Sequence, residues 1–207
     1  MSLAQRERHA LVATMTEAGP AAPTLCGTWT VHDLAAHLVV RERRPDASVG
    51  IVFGPMAGYL EAKQAQIAQR PFAELLELVR TGPPWWSPLR PVDAVANLSE
   101  MFIHHEDVRR AEPGWEPRQL AERDEARLWT ALRAVARTAY RKSPVPVVLT
   151  SLQGAEIKAH RGDGDAVVLT GTPSELLLHA FGRDEVRIAA TGADADVQAV
   201  LATDRSV

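Results

Sequence analysis

Thr30-Val31-His32-Asp33-Leu34-Ala35-Ala36-His37-Leu38-Val39 is the stretch from which the fold of the N-terminal part can be read. Thr30 and Asp33 stand three residues apart, close to the spacing of a capping box. The hydroxyl caps the first turn and the carboxylate favours the positive end of the helix. Val31, Leu34, Ala35, Leu38 and Val39 then recur at i, i+3, i+4, i+7 and i+8, a stripe that faces a core. This helix ends before Pro45.

The same periodicity extends in both directions. A helix is predicted over 2–18, closed by Gly19-Pro20. Residues 46–55 read as a loop, and helices follow over 56–69 and 71–81. Gly82-Pro83-Pro84-Trp85-Trp86-Ser87-Pro88 is a stiff loop whose tryptophans read as core or pocket wall. A helix over 92–111 stops at Pro113-Gly114, and a last long one over 121–142 carries Leu128, Ala131, Leu132, Val135 and Ala139 on one face. Several long amphipathic helices with modest loops imply a bundle.

The character changes at Ser143-Pro144-Val145-Pro146. Strands are predicted over 145–152, 156–161, 166–170 and 185–191, with helices over 174–181 and 194–202. Thr172-Pro173-Ser174-Glu175 combines a cap, a proline in the first turn and a glutamate three residues on. The expected architecture is therefore α+β. A four-helix bundle of up-down type with extra helical pieces covers 1–144, and a small α+β domain covers 145–207.

Composition narrows the chemistry. The chain has 207 residues, 46% hydrophobic and 24% charged, the ordinary mix of a globular protein. Its single cysteine, Cys26, excludes an intramolecular disulfide framework and any multi-cysteine metal site built from one chain. A net charge of −3 makes no electrostatic case for nucleic acid. No apolar run approaches the ~18 residues of a membrane span. The N-terminal residues turn charged at once, which predicts a cytoplasmic location. The expected partner is a small molecule, and the protein is either a monomer or a homodimer.

With cysteine scarce, the seven histidines carry the search for a site. The densest run of functional groups is Ser99-Glu100-Met101-Phe102-Ile103-His104-His105-Glu106-Asp107-Val108-Arg109-Arg110. Each helical residue advances about 100°, so Glu100 and His104 lie about 40° apart and reach a common point. Asp107 shares that face. A third ligand must come from another helix, and His37, beside Leu34 on the flank of its stripe, is the candidate. Two histidines and a carboxylate suit Zn²⁺ with an open fourth position, and equally Fe(II). On spacing alone the plainer reading is a salt-bridged Glu100 and two satisfied boundary histidines. His105, Glu106, Arg109 and Arg110 read as a charged outer face or as an anion-binding set. Cys26 reads as a small residue closing its loop, with an activated thiol as the sharper alternative. Asp33 reads as a cap, and His9, His32, His160 and His179 as structural.

The stretch Thr24-Leu25-Cys26-Gly27-Thr28-Trp29-Thr30-Val31-His32-Asp33-Leu34-Ala35-Ala36-His37-Leu38 resembles the signature of the DinB/YfiT-like superfamily, in its mycothiol-dependent maleylpyruvate isomerase branch. That branch has a Cys-x-Gly-Trp-type loop before a Val-x-Asp-Leu-x-x-His-Leu helix, and Glu100-x-x-x-His104 matches its second metal motif. Together with Arg41-Glu42-Arg43-Arg44-Pro45, the whole pattern is similar to an uncharacterised actinobacterial family of the superfamily, over essentially the full chain. One departure is Cys26-Gly27-Thr28-Trp29, where many relatives read Cys-Pro/Glu-Gly-Trp.

The resemblance implies a metal-binding four-helix bundle followed by a small α+β domain. It also implies a divalent metal, usually zinc, on His37, Glu100 and His104, and mycothiol as co-substrate. The leading expectation is a thiol-dependent metalloenzyme, an S-transferase or isomerase acting on an electrophilic small molecule. In it Arg41, Arg109 or Arg110 holds a carboxylate of substrate or thiol. One alternative is a non-catalytic metal-binding regulatory or ligand-sensing module, in which Asp107 closes the coordination shell. A second is a metal-dependent hydrolase with Asp107 or Glu106 as general base.

Overall fold

The computed structural model describes residues 1–43, 57–84 and 93–205. The expected loop over 46–55, the Trp85-Trp86 pair and the exact starts of the helices predicted from 56 and 92 lie outside the described residues or at their margins. The chain divides into two compact units, Met1–Trp115 and Glu116–Val207.

The first unit is helical: α1 (Leu3–Ala18), α2 (Val31–Arg43), α3 (Ala57–Ile67), α4 (Phe72–Thr81) and α5 (Asp93–Arg109). α1 packs on α5 and α4, and α2 packs on α4 and α3. The fully buried cluster draws Leu11 and Met15 from α1, Leu34, Ala35 and Leu38 from α2, Leu75 and Val79 from α4, and Met101 from α5. Among the described residues four helices share one core, and α3 meets it through Ile67. Burial of these side chains, at roughly 25 cal/mol per Å² of apolar surface, is what holds the helices together.

The helix starts follow from local chemistry. Ser2 and Gln5 form a reciprocal capping box on α1. At α2 the Thr30 amide donates to Asp33 Oδ2 at 3.0 Å, and the Asp33 amide donates to Thr30 Oγ1 at 3.3 Å. This is the capping arrangement that the Thr30/Asp33 spacing predicts. The loop ahead of it is stapled as well. The Cys26 amide donates to Thr24 Oγ1, the Trp29 amide returns to the Cys26 carbonyl, and Gly27 takes a φ of 65°, where glycine meets no Cβ penalty.

The second unit comprises α6 (Glu122–Ala139), β1 (Val147–Ser151), β2 (Glu156–His160), β3 (Val167–Gly171), α7 (Pro173–Ala180), β4 (Ala189–Thr191) and α8 (Asp194–Leu201). The sheet runs β2-β1-β3-β4. β1 and β3 are parallel, from Val147↔Val167 to Ser151↔Gly171, and both outer pairs are antiparallel. Leu149 and Leu169 face inward with α7, whose residues are all buried. Thr172 caps α7 and Pro173 opens it. The Glu125 carboxylate of α6 accepts from both the amide and the hydroxyl of Ser174, tying the two helices together. Among the described residues no helix is long and apolar enough to cross a membrane.

Two expectations are corrected. The helix expected to close the bundle, α6, belongs to the second unit, so the division falls at 115/116 and not at 144. Its buried stripe of Leu128, Leu132 and Ala136 packs on α7 and β2. Periodicity reveals that a face is covered, not what covers it. The strand expected over 185–191 pairs only at Ala189–Thr191. The Arg187 amide donates at 2.7 Å to the buried Glu175 carboxylate and so is kept out of the ladder.

Tyr140 and His179 form a buried pair, hydroxyl to Nδ1 at 2.6 Å. Burial, helped by the charge of Arg205, pushes the His179 pKa down to about 3. The folded value lies below the unfolded one near 6.5, so the unfolded chain takes up the proton first as pH falls. Stability is complete above about pH 6.5 and declines towards pH 3, by up to ~1.4 kcal/mol per pH unit. The unfolding free energy of the wild-type protein should therefore fall more steeply between about pH 6 and pH 4 than that of His179→Gln. Equal slopes in urea denaturation would refute this account.

Candidate metal centre

α2 and α5 bring three donors to one place. His37 comes from α2, and Glu100 and His104 come from successive turns of α5. One ligand atom from each lies within 4.8 Å of the other two. His104 Nε2 is 3.2 Å from Glu100 Oε1, and His37 Nε2 is 3.7 Å from the same oxygen. The two rings meet edge to face, with centroids 5.7 Å apart. All three side chains are partly buried, at 15%, 20% and 11% exposure for His37, Glu100 and His104. Trp29 packs against His37 at 4.9 Å and forms one wall.

The far side of the His104 ring has its own partners. Nδ1 lies 2.8 Å from Asp107 Oδ2, and Asp107 is completely buried. The Cys26 thiol donates to the same Asp107 oxygen at 3.0 Å and lies 3.7 Å from His104 Nδ1. The Leu25 amide donates to the Asp107 carbonyl and so fastens the cysteine loop to α5. Cys26, His104 and Asp107 thus form a second group whose donor atoms lie within 4.8 Å of one another.

The electrostatics follow from this arrangement. Burial favours the neutral form of Glu100, but hydrogen bonds from His104 and His37, with the charges of His104 and Arg41, hold its pKa well below the usual carboxylate range. Burial likewise favours a neutral His104. The hydrogen bonds to Asp107, Cys26 and Glu100, with the Glu100 charge, hold its pKa well above the usual histidine range.

The arginines named from the sequence are engaged with protein groups. Arg41 Nε sits 3.1 Å from Glu100 Oε1, and its guanidinium also donates to Asn97. Arg110 is buried, bonded to Glu106 at 2.6 Å and stacked over Trp115 at 4.5 Å. Arg109 pairs with the same Glu106 at 3.0 Å. Glu106 is itself 1% exposed and turned to these two guanidiniums, and it is not grouped with the three donors. Asp107 stands behind the His104 ring, on the side away from Glu100. His105 is neither ligand nor outer face: it is buried between Glu7 at 2.9 Å and Thr14 at 3.0 Å of α1.

Sequence reasoning did not find the polar chain behind the site. Arg8 forks onto both carboxylate oxygens of Glu42 and also donates to the Val79 carbonyl at 2.8 Å. Asn97 donates to Glu42 at 3.5 Å and accepts from Arg41. Arg8, Glu42 and Asn97 are all buried. The spacing of Asn97, one turn before Glu100, was the only signal in the sequence.

No family model matches the sequence, and no curated protein does either. The architecture, a helical unit followed by a small α+β unit, is the α+β layout that the resemblance implies. The fold is similar to that of the crystal structure of the mycothiol-dependent maleylpyruvate isomerase. The TM-score is 0.56 over 91% of this chain and 90% of that chain, at 14% sequence identity.

Removing one member of the buried pair takes from the other its closest opposite charge in a dry environment. Arg8→Met should lower the unfolding free energy by about 3–5 kcal/mol, and Arg8→Met combined with Glu42→Leu should recover most of that loss. Chemical denaturation of the two variants checks both figures.

Proposed function

We propose that the chain is a metal-dependent enzyme that uses a low-molecular-weight thiol of the mycothiol class to transfer sulfur to, or isomerise, a small electrophile. The observation that carries this reading is the convergence of His37, Glu100 and His104 from two helices. Two imidazoles and one carboxylate form the donor set of a catalytic zinc-type site, which keeps a coordination position for water or ligand. The mycothiol dependence of the structurally similar isomerase supports the choice of thiol.

A bound divalent metal would stabilise the thiolate form of the co-substrate, which is the nucleophile. His37, Glu100 and His104 would hold that metal. Asp107 accepts from His104 Nδ1, which fixes the tautomer so that Nε2 offers its lone pair to the site. Arg41 steadies the Glu100 carboxylate and adds positive charge beside the position an anionic thiol or substrate carboxylate would take. Trp29 shields one side of His37 from water.

The wider alternatives draw less support. A hydrolase needs a base facing the site, and Asp107 is buried behind His104 while Glu106 is turned to Arg109 and Arg110. A sensor closed by a fourth protein ligand from Asp107 meets the same obstacle.

Purified protein should carry about one equivalent of metal, and His104→Ala should lose it. Asp107→Asn should weaken metal affinity or activity by roughly 10–100-fold. Addition of mycothiol to the cobalt-substituted protein should produce a thiolate-to-metal charge-transfer band. Thiol-dependent turnover of maleylpyruvate that survives in metal-stripped His104→Ala would sink the mechanism. A fully loaded protein whose spectrum ignores the thiol would leave the metal-binding reading standing and remove the thiol.

A further inference from the structure

An open cleft of about 370 Å³, wholly within the second unit, is lined by Arg137, Arg141, Lys158, Ala159, His160 and Arg161. Four of these six side chains are arginine or lysine, a fifth is histidine, and none is a carboxylate. Arg137, Lys158 and Arg161 are exposed and make no side-chain hydrogen bond or ion pair among the described residues. Among the described residues the Arg141 guanidinium donates to the Thr138 carbonyl alone, at 2.9 Å.

Two ordinary causes account for part of this pattern. Cations near the end of α6 complement the negative end of its dipole, which covers Arg137 and Arg141. A lysine on an edge strand such as β2 discourages unwanted strand pairing. Neither cause requires the two sets to share one cleft, where like charges repel. Carboxylates are not scarce nearby: the unit Glu116–Val207 carries thirteen acidic side chains against twelve arginines and lysines. None of those acids lines this cleft.

We propose that the cleft binds a compact, multiply charged anion of the phosphate class, as a soluble phosphorylated small molecule. Guanidinium forks clasp phosphate oxygens in pairs, and the lysine adds a point charge. No aromatic ring other than His160 lines the cleft to stack a base, and the chain as a whole is acidic, which sets nucleic acid aside. No large apolar side chain lines it either, so nothing there inserts into a lipid surface.

The test is calorimetric titration of the full-length protein with inorganic pyrophosphate in low salt. One saturable site is expected, and affinity should fall as salt is raised. A variant combining Arg137→Ala and Lys158→Ala should bind about tenfold or more weakly. Arg161→Ala, in the turn after β2, serves as a second probe should that variant misfold, and unchanged circular dichroism and metal content certify the fold of each. Absence of a saturable signal, or one unchanged in all variants, overturns the proposal. Sedimentation with phosphatidic acid vesicles separates the two sources of phosphate. Binding to vesicles that free pyrophosphate does not displace assigns the cleft to a lipid headgroup and overturns the soluble ligand.

Discussion

The imidazole of His104 stands between two carboxylates, Glu100 on Nε2 and Asp107 on Nδ1, and the arrangement of the first unit turns on it. On one helix, residues four before and three after a histidine fall near the same face, so α5 by itself supplies both partners. What a lone helix cannot supply is a dry environment. Leu25 donates to the backbone of Asp107, Cys26 donates to its side chain, and His37 closes the other side from α2. These contacts orient His104, and its bonds to Asp107, Cys26 and Glu100 favour its charged form. Orientation by a buried carboxylate is what a metal-binding histidine requires.

Behind this centre the bundle is joined through charge as well as through apolar packing. Arg8 of α1, Glu42 and Arg41 of α2, Asn97 and Glu100 of α5, and the Val79 carbonyl of α4 form one connected path. Buried ion pairs are poor sources of net stability, because desolvation offsets most of the Coulomb attraction. They do penalise any packing in which a partner is misplaced. A one-turn slip of α2 against α5 would separate His37 from Glu100 and Arg41 from Asn97 together, so the path behind the site and the site itself select the same register.

The second unit is organised differently. A parallel β1–β3 pair lies at the centre of its sheet, and α6 reaches it through α7 and β2. Its charges nearly balance, thirteen acidic against twelve basic side chains over Glu116–Val207, yet one cleft is lined with basic groups and no carboxylate. The first unit thus gathers its candidate metal donors on two helices, and the second gathers basic side chains in one cleft.

Much was already legible in the chain. Thr30 and Asp33 cap α2, Thr172 and Pro173 open α7, and the heptad-like stripes mark the helices, because caps and periodicity depend on residues within one turn of each other. The Glu100/His104 pairing was readable for the same reason. The choice of His37 rested on its place at the flank of a stripe, and the packing of α2 beside α5 brings its ring to theirs. Other features depended on what meets what. Arg109 and Arg110 have the composition of an anion site, yet both are spent on Glu106, and His105 is spent on Glu7 and Thr14. Helix α6 has a clear buried face but no mark of the unit it covers. Local sequence determined which segments are helices and which side chains share a face. Tertiary packing decided which partners those faces found, because the burial that selects partners acts between segments far apart in the chain.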